Sequence, residues 1–136
     1  MGEFSEVKDS GGKHQEFTTG SKRDNRDGKG RYDLLPPYAI WRLARHYKNG
    51  AKKYGDRNWE AGQPLARYLD SMIRHAFKFL SGSRAEDHLA AVAWNALAYI
   101  ETEHRIEQGI LPADLDDIEP VRKKLNGKTQ RKSTRG

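Results

Sequence analysis

Residues 50–60, GAKKYGDRNWE, hold the densest set of side chains in the chain that could bind a nucleotide. The cationic groups of Lys53 and Arg57 could contact phosphate oxygens. The Trp59 indole could stack on a base, and the Asn58 amide could both donate to and accept from a purine edge. The alternative interpretation is a polar connection between helices with Trp59 packed into the core.

Three acidic residues further along the chain could bind a metal ion. Asp70 lies in one predicted helix, and Glu86 and Asp87 open the next. Carboxylate oxygens converging from adjacent antiparallel helices suit Mg²⁺ or Mn²⁺, and a polyphosphate needs such an ion to offset its charge. The alternative is that the two acids at the helix start only interact with the helix dipole.

Polar residues on the faces of the same two helices are further candidates. Arg74 and His75 lie on the second helix, beside Asp70. His88 and Asn95 are seven residues apart on the third and therefore share a face, two turns apart. That face could hold a polar ligand. Alternatively, His88 and Asn95 brace neighbouring backbone, and Asp70 with Arg74 forms an ordinary exposed i,i+4 pair.

Three segments have the periodicity of amphipathic helices, and none shows the alternation of a strand. The first follows Pro36 and Pro37, and its expected end is Asn49-Gly50. The second begins at Gln63-Pro64 and ends at Ser81-Gly82-Ser83.

The third helix has a capping-box spacing at its start, Ser83 and Glu86. It is expected to run to about Gln108, with Gly109 as its terminator. A shorter helix is expected near residues 113–125. These elements predict an all-α fold, a small antiparallel helical bundle with short connections that assembles as a dimer or tetramer.

Composition divides the chain into three parts. Residues 1–30 are polar and rich in glycine, which predicts a flexible N-terminal arm. Residues 31–120 are the predicted helical domain. Residues 121–136 contain seven Lys and Arg and no acid, which predicts a basic disordered tail.

The same composition excludes several classes of site. With no cysteine, the chain has neither disulfides nor thiolate metal sites. No apolar run suits a membrane, and the expected location is the cytoplasm. None of the five histidines precedes an aspartate, which argues against a His-Asp-type triphosphohydrolase. The net charge of +6 supports a non-enzymatic alternative, a nucleic-acid-binding module whose salt-sensitive binding is lost with the tail. A purely structural bundle is a further alternative, but it leaves Trp59 and Asn95 unexplained.

Two long blocks, AKKYGDRNW and HLAAVAWNAL, resemble the phage dATP/dGTP diphosphohydrolase family. That family is similar to the MazG-type all-α nucleoside triphosphate pyrophosphohydrolases and includes MazZ-type (d)GTP diphosphohydrolases. The resemblance implies helical units that form dimers or tetramers and bind Mg²⁺ or Mn²⁺ on helix carboxylates. It implies hydrolysis of dGTP/GTP or dATP to the monophosphate and pyrophosphate. The setting it implies is phage nucleotide-pool control or 2-aminoadenine DNA synthesis in the host cytoplasm.

The family motifs carry over only in part. Asn95 matches the asparagine that lies near the nucleoside in MazG-type enzymes, but the aspartate seven residues earlier is His88 here. The E-E-x-x-E pattern is absent from the second helix, where only Asp70 replaces it. The metal ligands expected from this comparison are Glu60, Asp70, Glu86 and Asp87.

The resemblance also suggests roles for the remaining candidates. Glu60 or Asp87 would orient or deprotonate the attacking water, and His75 or His88 could act as a ligand or in proton transfer. The expected substrate-binding residues are Lys53, Arg57, Asn58, Trp59, Arg74, His88 and Asn95.

Overall fold

The computed structural model describes residues 7–133, and side chains up to residue 127. Residues 1–6 of the predicted arm and 134–136 of the predicted tail lie outside the described residues. The chain divides into two compact units, one up to Pro36 and one from Pro37 onward.

The first unit contains a short antiparallel hairpin, with β1 at Gln15–Glu16 and β2 at Lys22–Arg23. The Phe17 N–H donates to the Ser21 carbonyl at 2.8 Å and closes the turn. The expectation that the chain has no strand is wrong here, because strands of two residues are too short to show alternation. A 3₁₀ turn follows at Tyr32–Leu34.

Two polar side chains link this hairpin to the residues before it. Asp24 accepts from the Ser10 N–H at 2.9 Å and from the Lys29 ammonium group at 2.7 Å. These bonds hold the pKa of Asp24 well below its usual range, and the bond from Lys29 has the largest effect. Asn25 Nδ2 donates to the Gly11 carbonyl at 2.7 Å. The described part of the arm therefore has local hydrogen-bonded structure, and its flexibility stays a prediction.

The second unit is built from helices, and the prediction of a mainly helical fold is confirmed. Helices α2 and α3 form the closest pair, and α1 packs against α3. The bounds of the four helices are Pro37–Tyr54 for α1, Leu65–Leu80 for α2, His88–Glu107 for α3 and Glu119–Ser133 for α4. None of the helices in the described part combines the length and apolarity needed to cross a bilayer.

The predicted end of α1 and the predicted start of α3 are wrong. Helix α1 continues through Gly50 to Tyr54, so the stop expected at Asn49-Gly50 does not end it. A glycine inside a helix costs only about 1 kcal/mol relative to alanine. This cost is too small to end α1, which continues for one more turn after Gly50. Helix α3 begins at His88 instead of at a capping box, because Asp87 is the N-cap and accepts from the Ala90 N–H at 3.2 Å.

The segment after α3 closes one end of the helix pair. A 3₁₀ turn at Ala113–Leu115 precedes α4, whose start is capped by Asp116, which accepts from the Glu119 N–H at 2.9 Å. Asp117 accepts from the Ala66 N–H at 2.8 Å and so caps α2 from a distance. The predicted short helix is thus later and longer than expected, and disorder of the tail stays a prediction.

The core lies at the same end of the α2–α3 pair. Leu65, Tyr68 and Ala98 are almost fully buried, and the Thr102 hydroxyl donates to the Tyr68 hydroxyl at 3.3 Å. Partly buried apolar side chains surround them: Trp94, Tyr99, Ile106 and Ile118. The core is small, and it fixes the rotation of α2 against α3, which determines the residues that face each other nearer the C-terminal end of α2.

Candidate functional site

A cavity of about 900 Å³ is lined by the end of α1, the loop after it, and the facing sides of α2 and α3. This volume is typical of small-molecule sites, which occupy about 300–1,000 Å³. Sequence reasoning found five of its lining residues, namely Arg57, Asn58, Trp59, His75 and Asn95. The cavity therefore collects the loop and helix residues that the sequence singled out separately.

One wall of the cavity is aromatic and centres on Trp94. The Trp94 ring centroid lies 6.2 Å from Tyr47, 6.3 Å from His46 and 6.2 Å from Tyr68. These separations are normal for interacting aromatic rings. The small side chain of Ala91, one turn before Trp94 and Asn95, also lines the cavity. An alanine there leaves space beside the aromatic rings for a planar group.

Asn95 is the buried polar residue of this wall. Its Nδ2 donates to the Ala91 carbonyl at 2.8 Å. Because a carbonyl only accepts hydrogen bonds, the amide must turn its NH₂ group toward Ala91. Asn95 therefore has its amide oxygen, an acceptor, to offer to a ligand in the cavity.

The loop after α1 has a strained conformation at the cavity rim. Arg57 has φ 60° and ψ 23°, and it is the one non-glycine residue with positive φ in the described part of the chain. Such a conformation costs about 1–3 kcal/mol and is typical of functional sites. A 3₁₀ turn at Asn58–Ala61 follows, and the half-buried Trp59 ring lies 5.4 Å from the Arg105 guanidinium.

The loop is anchored by a close backbone approach just before α2. Gly62 has φ 77°, and a Cβ atom at this position would lie 2.7 Å from Leu111 Cδ1. Only glycine fits this combination of backbone angle and space without movement of its neighbours. The contact places the loop against the segment that follows α3.

A cluster of ligand-type side chains adjoins the cavity. His75 Nδ1 and His88 Nδ1 are 2.9 Å apart, and Glu86 Oε1 lies 3.6 Å from the first and 3.5 Å from the second. Among the described residues, this is the one group of three or more His or acidic side chains whose donor atoms all lie within 4.8 Å of one another. Because His75 also lines the cavity, the cluster and the cavity form one site.

Burial favours the neutral form of two histidines that line the cavity. It lowers the pKa of His75, although Glu86 nearby acts in the opposite direction. It likewise lowers the pKa of His46, on the α1 side of the cavity. Neutral imidazole is the form that binds a metal ion.

Asp87 does not have the geometry expected of a metal ligand or a general base. Both of its oxygens bond to Arg42, at 2.5 Å and 3.0 Å, and Arg45 lies at 3.5 Å. The bonds from Arg42 lower the pKa of Asp87 to about 2. Asp87 thus links α3 to α1 through both carboxylate oxygens, one of which also accepts from the Ala90 N–H.

The other predicted carboxylate ligands also lie away from the cluster. Glu60 bonds to Arg57 at 2.8 Å and lies 4.0 Å from Arg105. Asp70 is exposed and pairs with Arg67 at 3.5 Å. The expected convergence of carboxylates from adjacent helices is not found, because Asp70 lies on another face of α2 from His75.

Two predicted phosphate contacts also lie outside the cavity lining. Lys53 is exposed, with its ammonium group 5.3 Å from the Tyr54 ring, and Arg74 is exposed on α2. The lining instead includes two other cations, Lys48 and Arg67. It also includes His46, Tyr47 and Trp94, none of which the sequence predicted as a ligand-binding residue.

The protein-family model for the dATP/dGTP diphosphohydrolase N-terminal domain matches residues 19–110, which is more than half of the chain. The chain belongs to this family. The predicted family is thereby confirmed, and so is the predicted class of enzyme, a nucleoside triphosphate pyrophosphohydrolase. The match includes the whole loop at the cavity rim and the His75–Glu86–His88 cluster. No curated protein and no solved structure matches the chain.

Proposed function

We propose that the chain hydrolyses a purine (deoxy)nucleoside triphosphate, dGTP/GTP or dATP, to the monophosphate and pyrophosphate with Mg²⁺ or Mn²⁺. The observation that carries this proposal is the position of His75. It belongs both to a cavity large enough for a nucleotide and to the cluster of potential metal ligands. A nucleotide in the cavity would then have its phosphates beside the cluster.

The aromatic wall supports a purine as the base. Trp94 and Tyr47 offer flat apolar surfaces, and Trp59 closes the cavity from the loop side. The amide oxygen of Asn95 would accept a hydrogen bond from an exocyclic amino group. Both adenine and guanine have such a group, so this contact favours the two over thymine or uracil. Asn58 at the rim would add a second amide contact.

The cationic side chains of the lining support the binding of a triphosphate. Lys48, Arg57 and Arg67 reach the cavity from α1, the loop and α2. They would neutralise negative charge on the β- and γ-phosphates and on the departing pyrophosphate. Arg57 is also bonded to Glu60, which would hold its guanidinium in place at the rim.

A bound divalent ion would offset the charge of the triphosphate and lower the pKa of a water molecule. The protein contributes the enclosure: the aromatic wall excludes water from one side of the nucleotide.

Lys53 and Arg74 remain proposed as longer-range charges, since both are exposed cations near the lining. Glu60 and Asp87 are proposed only as positioning residues, because arginines already engage them.

The proposal includes assembly of several copies and a phage-infected host cytoplasm as the setting, as the family resemblance suggests. Assembly is supported by an apolar stripe on α2, where Ile73, Phe77 and Leu80 are each more than half exposed. Their i, i+4 and i+7 spacing places them on one face of the helix. A second copy of the chain would cover that face.

The test is product analysis with the full chain. The protein is incubated with Mg²⁺ or Mn²⁺ and each of dATP, dGTP, dTTP, dCTP, ATP and GTP, and the products are separated by ion-exchange chromatography. Monophosphate and pyrophosphate from a purine nucleotide are expected. Absence of turnover with every nucleotide and both metals would refute the proposal. The rival function, nucleic-acid binding, would then be tested by its salt dependence.

A matched pair of variants locates the reaction in the cavity. Asn58→Ala removes an amide from the cavity rim, whereas Asn49→Ala removes one from an exposed position on α1 outside the lining. The first variant is expected to raise KM for the purine nucleotide, and the second to leave KM unchanged. Equal effects of the two variants would place the substrate elsewhere.

A further inference from the structure

We propose that His75, Glu86 and His88 form a binding site for a divalent first-row transition-metal ion that discriminates against Mg²⁺. The inference deepens the proposed function, on which the use of the ion in hydrolysis rests. Binding of the ion itself depends only on the three side chains. The site replaces the carboxylate set that the family resemblance implied.

The distances among the three donor atoms suit a shared ion. His75 Nδ1, His88 Nδ1 and Glu86 Oε1 form a triangle with sides of 2.9, 3.5 and 3.6 Å. Such a triangle has a point about 1.9 Å from every corner, and metal bonds to these atoms are about 2.0–2.2 Å long. An ion with ordinary bond lengths therefore fits just outside the plane of the three atoms, once the proton shared by the two Nδ1 atoms has left.

The His88 ring has a hydrogen-bond partner that can hold it in the form that binds a metal. His88 is almost fully buried, and its Nε2 lies 3.0 Å from the Ser83 hydroxyl. When Nε2 carries the proton and donates to Ser83, the lone pair of Nδ1 faces His75 and Glu86. A second hydrogen bond of this kind is a regular feature of metal-binding histidines, because it fixes both the ring orientation and the tautomer.

The cluster is open to solvent at Glu86, and the backbone that carries Glu86 is held in place. Its side chain is 55% exposed, so water or phosphate oxygens can reach the cluster from that side. The next residue, Asp87, bonds through both oxygens to Arg42 on α1. That link fixes the backbone of the segment that carries Glu86. The arrangement has three protein ligands with an open side, as in hydrolytic metal centres.

The donor types determine which ion the site prefers. Two of the three donors are imidazole nitrogens, which suit Zn²⁺ best, and at a given site the affinity for Co²⁺ exceeds that for Mn²⁺. Mg²⁺ prefers oxygen ligands and retains its water molecules, so a single carboxylate gives it little advantage. The expected order of affinity is Mg²⁺ weakest, then Mn²⁺, then Co²⁺ and Zn²⁺.

The test measures metal binding without any nucleotide. The full chain is stripped of metal with a chelator and titrated with Mn²⁺ by electron paramagnetic resonance of the free ion. Co²⁺, Zn²⁺ and Mg²⁺ are followed by calorimetry. One equivalent of Mn²⁺ is expected, with Mg²⁺ weaker by at least about tenfold. Equal affinity for Mg²⁺ and Mn²⁺, or no binding of any ion, would overturn the proposal and leave a hydrogen-bonded histidine pair.

Variants assign the binding to the cluster. Glu86→Gln and His75→Gln are both expected to lower Mn²⁺ affinity by more than about tenfold, and Ser83→Ala by about 10- to 100-fold through the ring orientation of His88. Glu107→Gln and His104→Gln change the same residue types at exposed positions of α3 outside the cluster and are expected to bind like the unmodified chain. Unchanged binding in Glu86→Gln would refute the site. Because the Glu86 side chain is 55% exposed, this variant is expected to fold like the unmodified chain.

The two proposals fail in different ways. If the metal binds as described but no nucleotide is hydrolysed, the site stands and the proposed function falls. If nucleotides are hydrolysed while Glu86→Gln retains full Mn²⁺ affinity, the function stands and the assignment of this site falls.

Discussion

The two ends of the α2–α3 pair differ in what they bury. At the core end, defined by Leu65, Tyr68, Ala98 and Thr102, the helices bury apolar side chains together with a hydroxyl pair. At the polar end, defined by His75, Glu86 and His88, the same two helices bury imidazoles against each other. One helix pair therefore provides stability at one end and ligand chemistry at the other.

The difference teaches how a small bundle can support a site. The core end holds α2 and α3 in a fixed rotation, so the facing residues further along each helix are determined by helical geometry. The polar end then needs few stabilising contacts of its own. Substitutions at the core end are therefore expected to change stability, and substitutions at the polar end to change function.

The largest effect is expected at the core end. Tyr68→Ala removes a fully buried ring and should lower the free energy of unfolding by about 3–5 kcal/mol, as measured by urea denaturation. Tyr68→Phe keeps the ring and loses only the hydroxyl bond to Thr102, at a cost of about 1 kcal/mol. A small effect of Tyr68→Ala would show that the core lies elsewhere.

The polar end is expected to behave in the opposite way. Glu86→Gln should reduce turnover of the purine nucleotide by about 100-fold or more, since it weakens the proposed metal site. Its free energy of unfolding should stay within about 0.5 kcal/mol of the unmodified chain, because the side chain is exposed. Loss of stability comparable to that of Tyr68→Ala would remove the distinction between the two ends.

Variants of Asp87 test whether this residue serves stability or catalysis. Asp87→Asn keeps an N-cap side chain but loses the charge that faces Arg42, and a loss of about 1–2 kcal/mol in the free energy of unfolding is expected. Asp87→Ala also loses the cap and should be less stable by a further roughly 0.5–2 kcal/mol. Abolished turnover in Asp87→Asn, with no loss of stability, would instead support the catalytic role expected from the sequence.

The smallest effect is expected at the cavity rim. Arg57→Gly removes a strained non-glycine residue and should raise the free energy of unfolding by up to about 1 kcal/mol. Loss of the cation should raise KM for the nucleotide at the same time. Arg57→Lys is the control: it keeps the strain and the charge. A stability gain in both variants would exclude backbone strain as the cause.

The helices and their order could be predicted from periodicity, and so could the ends of α2, because proline and glycine mark them. The end of α1 could not, since the cost of Gly50 inside the helix is small compared with the contacts of a further turn. The hairpin was missed because two-residue strands leave no pattern.

The site could be predicted only where a residue type is unusual in its position. Trp59 and Asn58 stand out in a polar loop, and Asn95 stands out on an alanine-rich helix. The rotation of α2 against α3 could not be read from the sequence, and this rotation brings Glu86 to two histidines instead of to Asp70. Trp94 was missed because a tryptophan at helical spacing looks like any other core residue.

Trp94 lies on both the core cluster and the aromatic wall of the cavity. A change at this position would alter ligand preference and weaken the fold in a single step. Replacement of Trp94 is therefore a costly way to change nucleotide specificity, because it also destabilises the fold. Asn58, Gln63 and Arg67 touch the cavity without belonging to the core cluster. New specificities in this lineage should accordingly accumulate at the rim while the tryptophan persists.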